Sequence, residues 1–399
     1  IFLIGILNFF IISNSINIES FGQYSYMMIV ITFMILILSF GFPNYLPIIL
    51  SKTNYSSTNY IAFKQKKLIL FVFLILFLIN YITNSNYNII LPVVLLNILL
   101  YINACIFLSH RLRKESIIFG PSRPMGSLLT NIFLLLILGY FYMNKLLINI
   151  DVIFSAILIS SIGTYFLSEI FFLKTFPFKN SNELDLKLIS MLKSSIPIGI
   201  QRVFDNFHLL IFTVIASQTL SPKELGLFFF SHRIILIILM FKEFIENYYT
   251  PIVTDEIIKN KSKNLDKIIN KKTLITLLTI IPSSIFIIIF YDQIISIFSP
   301  QYLDSKSILY VFIPSVFLSY IFKDYLVPAE VFNKSNIILA IRLIVFIIIC
   351  SIPFIPGFYK GIFLFPILFS LKDILIRILL TTTIRKKISN LKYLVNFNL

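Results

Sequence analysis

The sequence predicts an all-α integral membrane protein of about 12 transmembrane helices, set out as two six-helix lobes related by a parallel internal repeat, with the first helix truncated. Three observations carry this reading. Hydrophobic residues make up 58% of the 399 residues and charged residues 13%, with a mean hydropathy of +0.91; a soluble domain carries about 25% charged residues. Most of the basic residues, which leave a net charge of +16, fall in one set of alternate loops between apolar runs. Sequence features also recur at one fixed offset.

A helix needs about 20 predominantly apolar residues to cross a bilayer. Apolar runs separated by polar, Pro-bearing or Asn-rich loops place the spans at 1–12, 22–50, 65–82, 87–108, 125–143, 150–173, 195–216, 224–250, 273–291, 307–328, 335–353 and 359–381. The first is short. Strand alternation never persists long enough for a barrel. No cleavable signal peptide precedes the first run, and the chain opens at Ile1 inside an apolar stretch. Cys105 and Cys350 both lie inside apolar runs, where they read as small buried side chains rather than a disulfide or metal pair.

Loop charge tests the count. The loops on one side, with the C-terminal end, hold 25 Lys and Arg; those on the other hold 4, namely Lys145, Lys223, Lys306 and Lys360. Under the positive-inside rule the rich side is cytoplasmic, so both termini face the cytoplasm. Scattered short basic loops do not suit nucleic acid. Five cations remain within spans: Arg202, Arg233, Lys242, Arg342 and Lys372.

"FGQYSYMM" opens the second span and "LGLFFFSH" the eighth. Gly22 and Gly226, Tyr45 and Tyr249, and Pro47 and Pro251 are each 204 residues apart. A unit of six helices, an even number, repeats in the same orientation, as in transporters built from parallel repeats. The expected division is an N-terminal lobe over 1–173, a charged cytoplasmic linker over 174–193, a C-terminal lobe over 194–381 and a basic cytoplasmic tail over 382–399. The repeat places the counterpart of Arg202 upstream of Ile1 and that of Asp205 at Ile1 itself, so the first helix is read as incomplete.

Ionisable groups inside a span are expensive and usually face a cavity or a partner. Arg202, Asp205 and His208 in "QRVFDNFH" recur every third residue, on one helical face. Two readings stay open. Arg202 and Asp205 form a structural ion pair along their helix; or Arg202 lines a cavity while Asp205 or His208 binds a coupling proton or sodium ion. His208 alone suits a hydrogen-bonded interior residue equally well. Arg233, beside His232, Arg342, and Lys372, beside Asp373, are the other candidate cavity cations. Their alternative is snorkelling or interhelical pairing. Lys242, Glu243 and Glu246 read as interfacial charges in local pairs. Pro197, Pro314 and Pro353 mark possible bends. The sequence lacks HExxH, GxGxxG, GxxxxGK[ST] and any Cys–His cluster, so neither an enzyme nor a cofactor or metal site is expected. Glu183 and Asp185 in "NELDLK" read as solvated loop carboxylates.

The segments "SINIESFGQYSYMMIVITFMILILSFGFPNYLP" and "LSPKELGLFFFSHRIILIILMFKEFIENYYTP" resemble the second-helix regions of the polysaccharide flippases, the O-antigen (Wzx-like) family. In that family a polar loop leads into a Gly, an aromatic and a long helix that ends near a Pro. Its superfamily also holds the MATE drug antiporters and the lipid II flippases. The likeness covers helix count, repeat and loop pattern across the chain. It implies a transporter that moves an undecaprenyl-pyrophosphate-linked oligosaccharide across the bacterial plasma membrane through a cleft between lobes, with polysaccharide assembly proteins as possible partners. Cationic cavity residues are expected in the family, which suits Arg202, Arg233, Arg342 and Lys372, since arginine presents a fixed fork to phosphate oxygens. Two alternatives stand beside it. A MATE-type drug or metabolite antiporter would favour an acidic, aromatic cavity. A membrane polysaccharide polymerase or glycosyltransferase would favour a large outer loop, and the outer loops here are short.

Overall fold

The computed structural model describes residues 2–41, 43, 46, 55–82, 89–110, 112–119, 127–176, 195–196, 199–200, 203, 210–258, 264–331, 335–355, 361–385 and 394. Among these residues there is no strand, only one isolated antiparallel bridge between Phe322 and Leu394. The helices are α1 (Phe2–Ser15), α2 (Ile18–Leu38), α3 (Tyr55–Ile82), α4 (Ile90–Ser109), α5 (Arg113–Phe119), α6 (Leu128–Met143) and α7 (Ile150–Thr175). They continue with α8 (Leu210–Thr219), α9 (Pro222–Ile258), α10 (Leu265–Phe298), α11 (Lys306–Ile321), α12 (Leu326–Val331), α13 (Ser335–Ser351) and α14 (Leu364–Arg385). Every expected span contains a helix, and α5 and α12 are short additions within loops. By length and composition α2, α4, α7, most of α10 and residues 337–354 each suffice to cross a bilayer. The chain is an all-α, multi-pass membrane protein.

Helix starts follow local chemistry. Asn17 caps α2, its side chain accepting from the Ser20 N–H at 2.7 Å, and Asn149 caps α7 by accepting from Val152 at 2.9 Å. α9 opens with "SPKE", a reciprocal capping box. The Ser221 N–H donates to the Glu224 carboxylate at 2.9 Å, the Glu224 N–H donates back to Ser221 Oγ at 3.3 Å, and Pro222 takes the first helical position. The starts of α2 and α9 are 204 residues apart, the spacing read from Gly22 and Gly226.

The chain divides into two compact units, Ile1–Leu210 and Ile211–Leu399. In the first, α4 is apolar on every face and correspondingly buried. α2, α3 and α7 pack on it, while α6 joins α7 to α1. Buried Ser160, Ser161, Thr164 and Ser168 line α7, and small side chains of this kind let membrane helices approach closely. Thr130 Oγ1 bonds Thr164 Oγ1 at 3.0 Å, and the Asn8 amide donates to the Asn131 carbonyl at 3.0 Å. In the second unit α9 packs on α10, α11 lies against α9, α10 and α14, and α13 covers α14. Its apolar core joins Phe212, Val253, Leu265, Tyr325, Val345, Leu368 and Leu380. Tyr302 stacks on Phe230 with ring centroids 4.0 Å apart, and its carbonyl accepts from the Tyr291 hydroxyl at 3.1 Å. Cys105 and Cys350 are free thiols, both half-buried.

Several spans differ from expectation. α2 stops at Leu38 instead of running to 50, because Phe40 and Gly41 take left-handed backbone, with φ of 50° and 72°. α11 stops at Ile321 instead of 328. There Lys323 and Tyr325 bond Asp266, and Asp324 accepts from the Leu326 N–H at 2.9 Å to start α12. α9 and α10, at 37 and 34 residues, run beyond the expected 224–250 and 273–291 and exceed the about 20 residues that a crossing needs. Replacing Ser221 with Ala removes the α9 cap and should lower unfolding free energy by about 1 kcal/mol. Denaturant titration of the purified protein in detergent, with Lys223→Ala as a control just inside the helix, measures it.

Candidate functional site

The helix-seven candidates Arg202, Asp205 and His208 lie outside the described residues, as do Pro197, Glu183, Asp185 and residues 177–193 of the expected linker. Arg233 is half-buried on α9, Arg342 half-buried on α13, and Lys372 buried on α14. Two of these regions converge on one ring. The Lys372 ammonium lies 5.6 Å from the centre of Phe369, and the imidazole of His232, next to Arg233, lies 5.3 Å from the same ring. Phe212 and Phe312 complete that aromatic cluster. Lys372 also sits 3.0 Å from the Asp373 carboxylate. Arg342 is on the helix that covers α14, the element carrying Lys372.

A second set of charged groups in the second unit joins α9, α10, α11 and α14. Glu246 is 3.5 Å from Lys242, one turn back on α9, and 3.9 Å from buried Lys272 on α10. The Lys242–Glu246 pair is the local pairing read from sequence. Arg377 on α14 donates to the carbonyls of Ser319 and Phe322, both at 2.8 Å, which satisfies the open C-terminal end of α11. Its guanidinium also lies 4.5 Å over the Tyr320 ring. Beside it Lys323, fully buried, donates to both Asp266 oxygens at 2.9 and 3.0 Å, and the Tyr325 hydroxyl donates to Asp266 at 2.6 Å. Burial alone would raise the carboxyl of Asp324, in the α11–α12 turn. The Lys272 ammonium, the Arg377 guanidinium, the Leu326 N–H and the Lys242 ammonium overcome it and hold the group down at about 2, from 3.8.

The first unit holds a tighter arrangement. Lys66 on α3 donates to both oxygens of Glu169 on α7, at 2.7 and 2.9 Å, with Lys66 almost wholly buried. The Asn103 amide of α4 donates to Glu169 at 3.1 Å and to Ser168 at 3.1 Å. The Tyr165 hydroxyl, one turn back on α7, bonds Glu169 as well. The Phe172 ring lies 4.4 Å from the Lys66 ammonium. One carboxylate thus ties three helices together. Glu169 and Asp373 are 204 residues apart, so the repeat extends to a carboxylate in the last helix of each six-helix set. Each is held by cations of its own unit.

Four cations assigned to loops by the charge pattern are internal. Lys66, Lys272 and Arg377 are buried within helices, and Lys323 is buried in the turn after α11. The helices run past the apolar stretches that the sequence delimits, and tertiary contacts bury their polar extensions. Glu169 was within reach of the sequence: a lone carboxylate inside the apolar run "YFLSEIFF" demands a partner. Which lysine answers it, 103 residues away, only packing decides.

The family model MatE matches residues 197–359. No curated protein matches the chain in sequence. Solved structures match along nearly its whole length. The lipid II flippase MurJ in an inward closed conformation aligns with a TM-score of 0.68 at 13% identity, over 96% of this chain and 85% of that one. A multidrug resistance MATE family transporter of the MOP superfamily, inward-facing, gives 0.63 at 13% identity, over 98% and 95%. A MOP superfamily transporter from Pyrococcus furiosus, with a binding pocket of reversed polarity, gives 0.57 at 13% identity, over 96% of both chains. The chain therefore has the fold of these transporters.

Lys66→Met strands the Glu169 carboxylate in a mostly buried site and should cost roughly 3 kcal/mol. Lys66→Met combined with Glu169→Leu should recover much of that loss, as read by thermal unfolding of the three proteins in one detergent. Asp324 makes the second unit sensitive to acid: its depressed folded pKa gives stability that is full above about pH 4 and falls away as pH drops toward about 2. Asp324→Asn should flatten this part of the stability profile, measured as melting temperature against pH.

Proposed function

We propose that this chain is a flippase that carries an undecaprenyl-pyrophosphate-linked oligosaccharide repeat unit across the bacterial plasma membrane by alternating access, leaving the glycan chemically unchanged, to supply surface polysaccharide such as O-antigen. The observation that carries this reading is the likeness in fold, over 96% of the chain, to a flippase for another lipid-linked substrate. In this reading Arg202, Arg233, Arg342 and Lys372 hold the anionic head group, and Asp205 and His208 take a coupling ion. Arginine suits the role because its charge is permanent and its fork matches phosphate oxygens. The polyprenyl tail stays in lipid, since moving its apolar surface into a polar passage would gain nothing. Both termini face the cytoplasm, on the side with the basic loops.

A second reading has its own support: the MatE family match over residues 197–359 favours a cation-coupled drug or metabolite antiporter. One experiment separates the two. The gene is expressed in a bacterium that lacks its own O-antigen flippase and carries the matching glycan pathway, and surface polysaccharide is assayed. Wild type should restore it. Arg202→Ala, Arg233→Ala and Arg342→Ala should each lower the rate about tenfold or more, the loss of one charge-assisted contact to phosphate, at unchanged membrane levels. Failure of the wild type to restore glycan, with efflux of organic cations in its place, would favour the antiporter. Orientation is tested separately. A cysteine at Lys179 should be labelled by an impermeant thiol reagent only in inverted vesicles, and one at Lys145 only in intact cells.

A further inference from the structure

The end of α2 and the segment at Ser195–Gly199 meet, within the first unit, with no side chain between them. A Cβ added to Gly41 would collide with the Ser195 carbonyl oxygen and lie 2.6 and 2.8 Å from the Gly199 nitrogen and Cα. A Cβ added to Gly199 would lie 2.8 and 3.0 Å from the Gly41 nitrogen and Cα. These neighbours are backbone atoms, which cannot rotate aside. Ser195 and Gly199 are four residues apart, the small-xxx-small spacing by which membrane helices reach backbone contact.

The contact sits at a break. Phe40 and Gly41 are both left-handed, so the rigid rod of α2 ends at Leu38. At the repeat offset of 204 the counterpart of Gly41 is Ile245, and there α9 runs on unbroken to Ile258. The repeat thus keeps one helix continuous and interrupts its equivalent at the glycine. A break of this kind is where a helix absorbs a large change in φ and ψ. The contact is made by backbone on both sides, and Ile37, Ile196 and Ile200, on the same stretches of chain, keep 45%, 40% and 46% of their surface exposed.

We propose that Gly41 and Gly199 form a seam that opens and closes about the Phe40–Gly41 break, and that this motion is part of the alternating-access cycle, a step that rests on the transporter reading. The two glycines are required because any side chain holds the seam open.

Electron–electron resonance on the full chain in nanodiscs tests this without a transport assay. Spin labels go on Ile37→Cys and Ile200→Cys, with Cys105 and Cys350 replaced by Ala. Two distance populations are expected, the shorter one major. Gly199→Ala, which adds bulk at a position where no left-handed backbone is involved, should shift the ratio toward the longer distance by threefold or more. A single narrow distance in the wild-type background would overturn the seam, and that arm stands even where Gly199→Ala fails to fold. Two populations unmoved by Gly199→Ala would overturn the role of the glycine contact. A moving seam in a chain that restores no surface glycan would leave the proposal of motion intact and remove the flippase reading instead.

Discussion

The Lys66–Glu169 pair shows the constraint on which the rest of the structure depends. A carboxylate in an apolar layer has no water to solvate it, so it must find donors among its neighbours. Glu169 finds them on two other helices and on its own: Lys66 from α3, Asn103 from α4 and Tyr165 from α7. Those donors, with the Asn103–Ser168 hydrogen bond, fix the mutual height and rotation of three largely apolar helices. Hydrophobic contact alone would tolerate sliding, because one aliphatic surface is much like another. A bidentate ammonium–carboxylate contact does not.

The second unit answers the same constraint with a wider network. Arg377 caps the end of α11, Lys323 and Tyr325 close on Asp266, and Lys242 and Lys272 share Glu246. The repeat-related carboxylates Glu169 and Asp373 sit at equivalent positions with different partners. The two halves of the chain keep the position of a costly group and rebuild its surroundings.

The same pattern appears in the backbone. α2 and α9 begin at equivalent positions, each behind a polar cap, yet α2 ends at a left-handed glycine and α9 continues through an interior proline, Pro251. At the glycine of the break, α9 carries Ile245. Glycine alone tolerates both the positive φ and the backbone contact with Gly199.

The sequence by itself determined the fold class, the number and order of the spans, the 204-residue repeat and, to within two residues, the starts of α7, α9, α11 and α13, while α3 and α10 begin well before their apolar runs. These arise from hydropathy and from capping groups within a few residues of each other, and local chemistry suffices for both. It also marked Arg233, Arg342 and Lys372 as cations at membrane depth, because a charge in an apolar run is visible without any neighbour. Tertiary structure alone decided where α2 and α11 stop, that Lys66, Lys272, Lys323 and Arg377 are buried rather than loop cations, and which partner each takes. Most of those outcomes depend on groups 26 to 103 residues apart meeting in space. No periodicity along one helix records which lysine on another will reach its carboxylate.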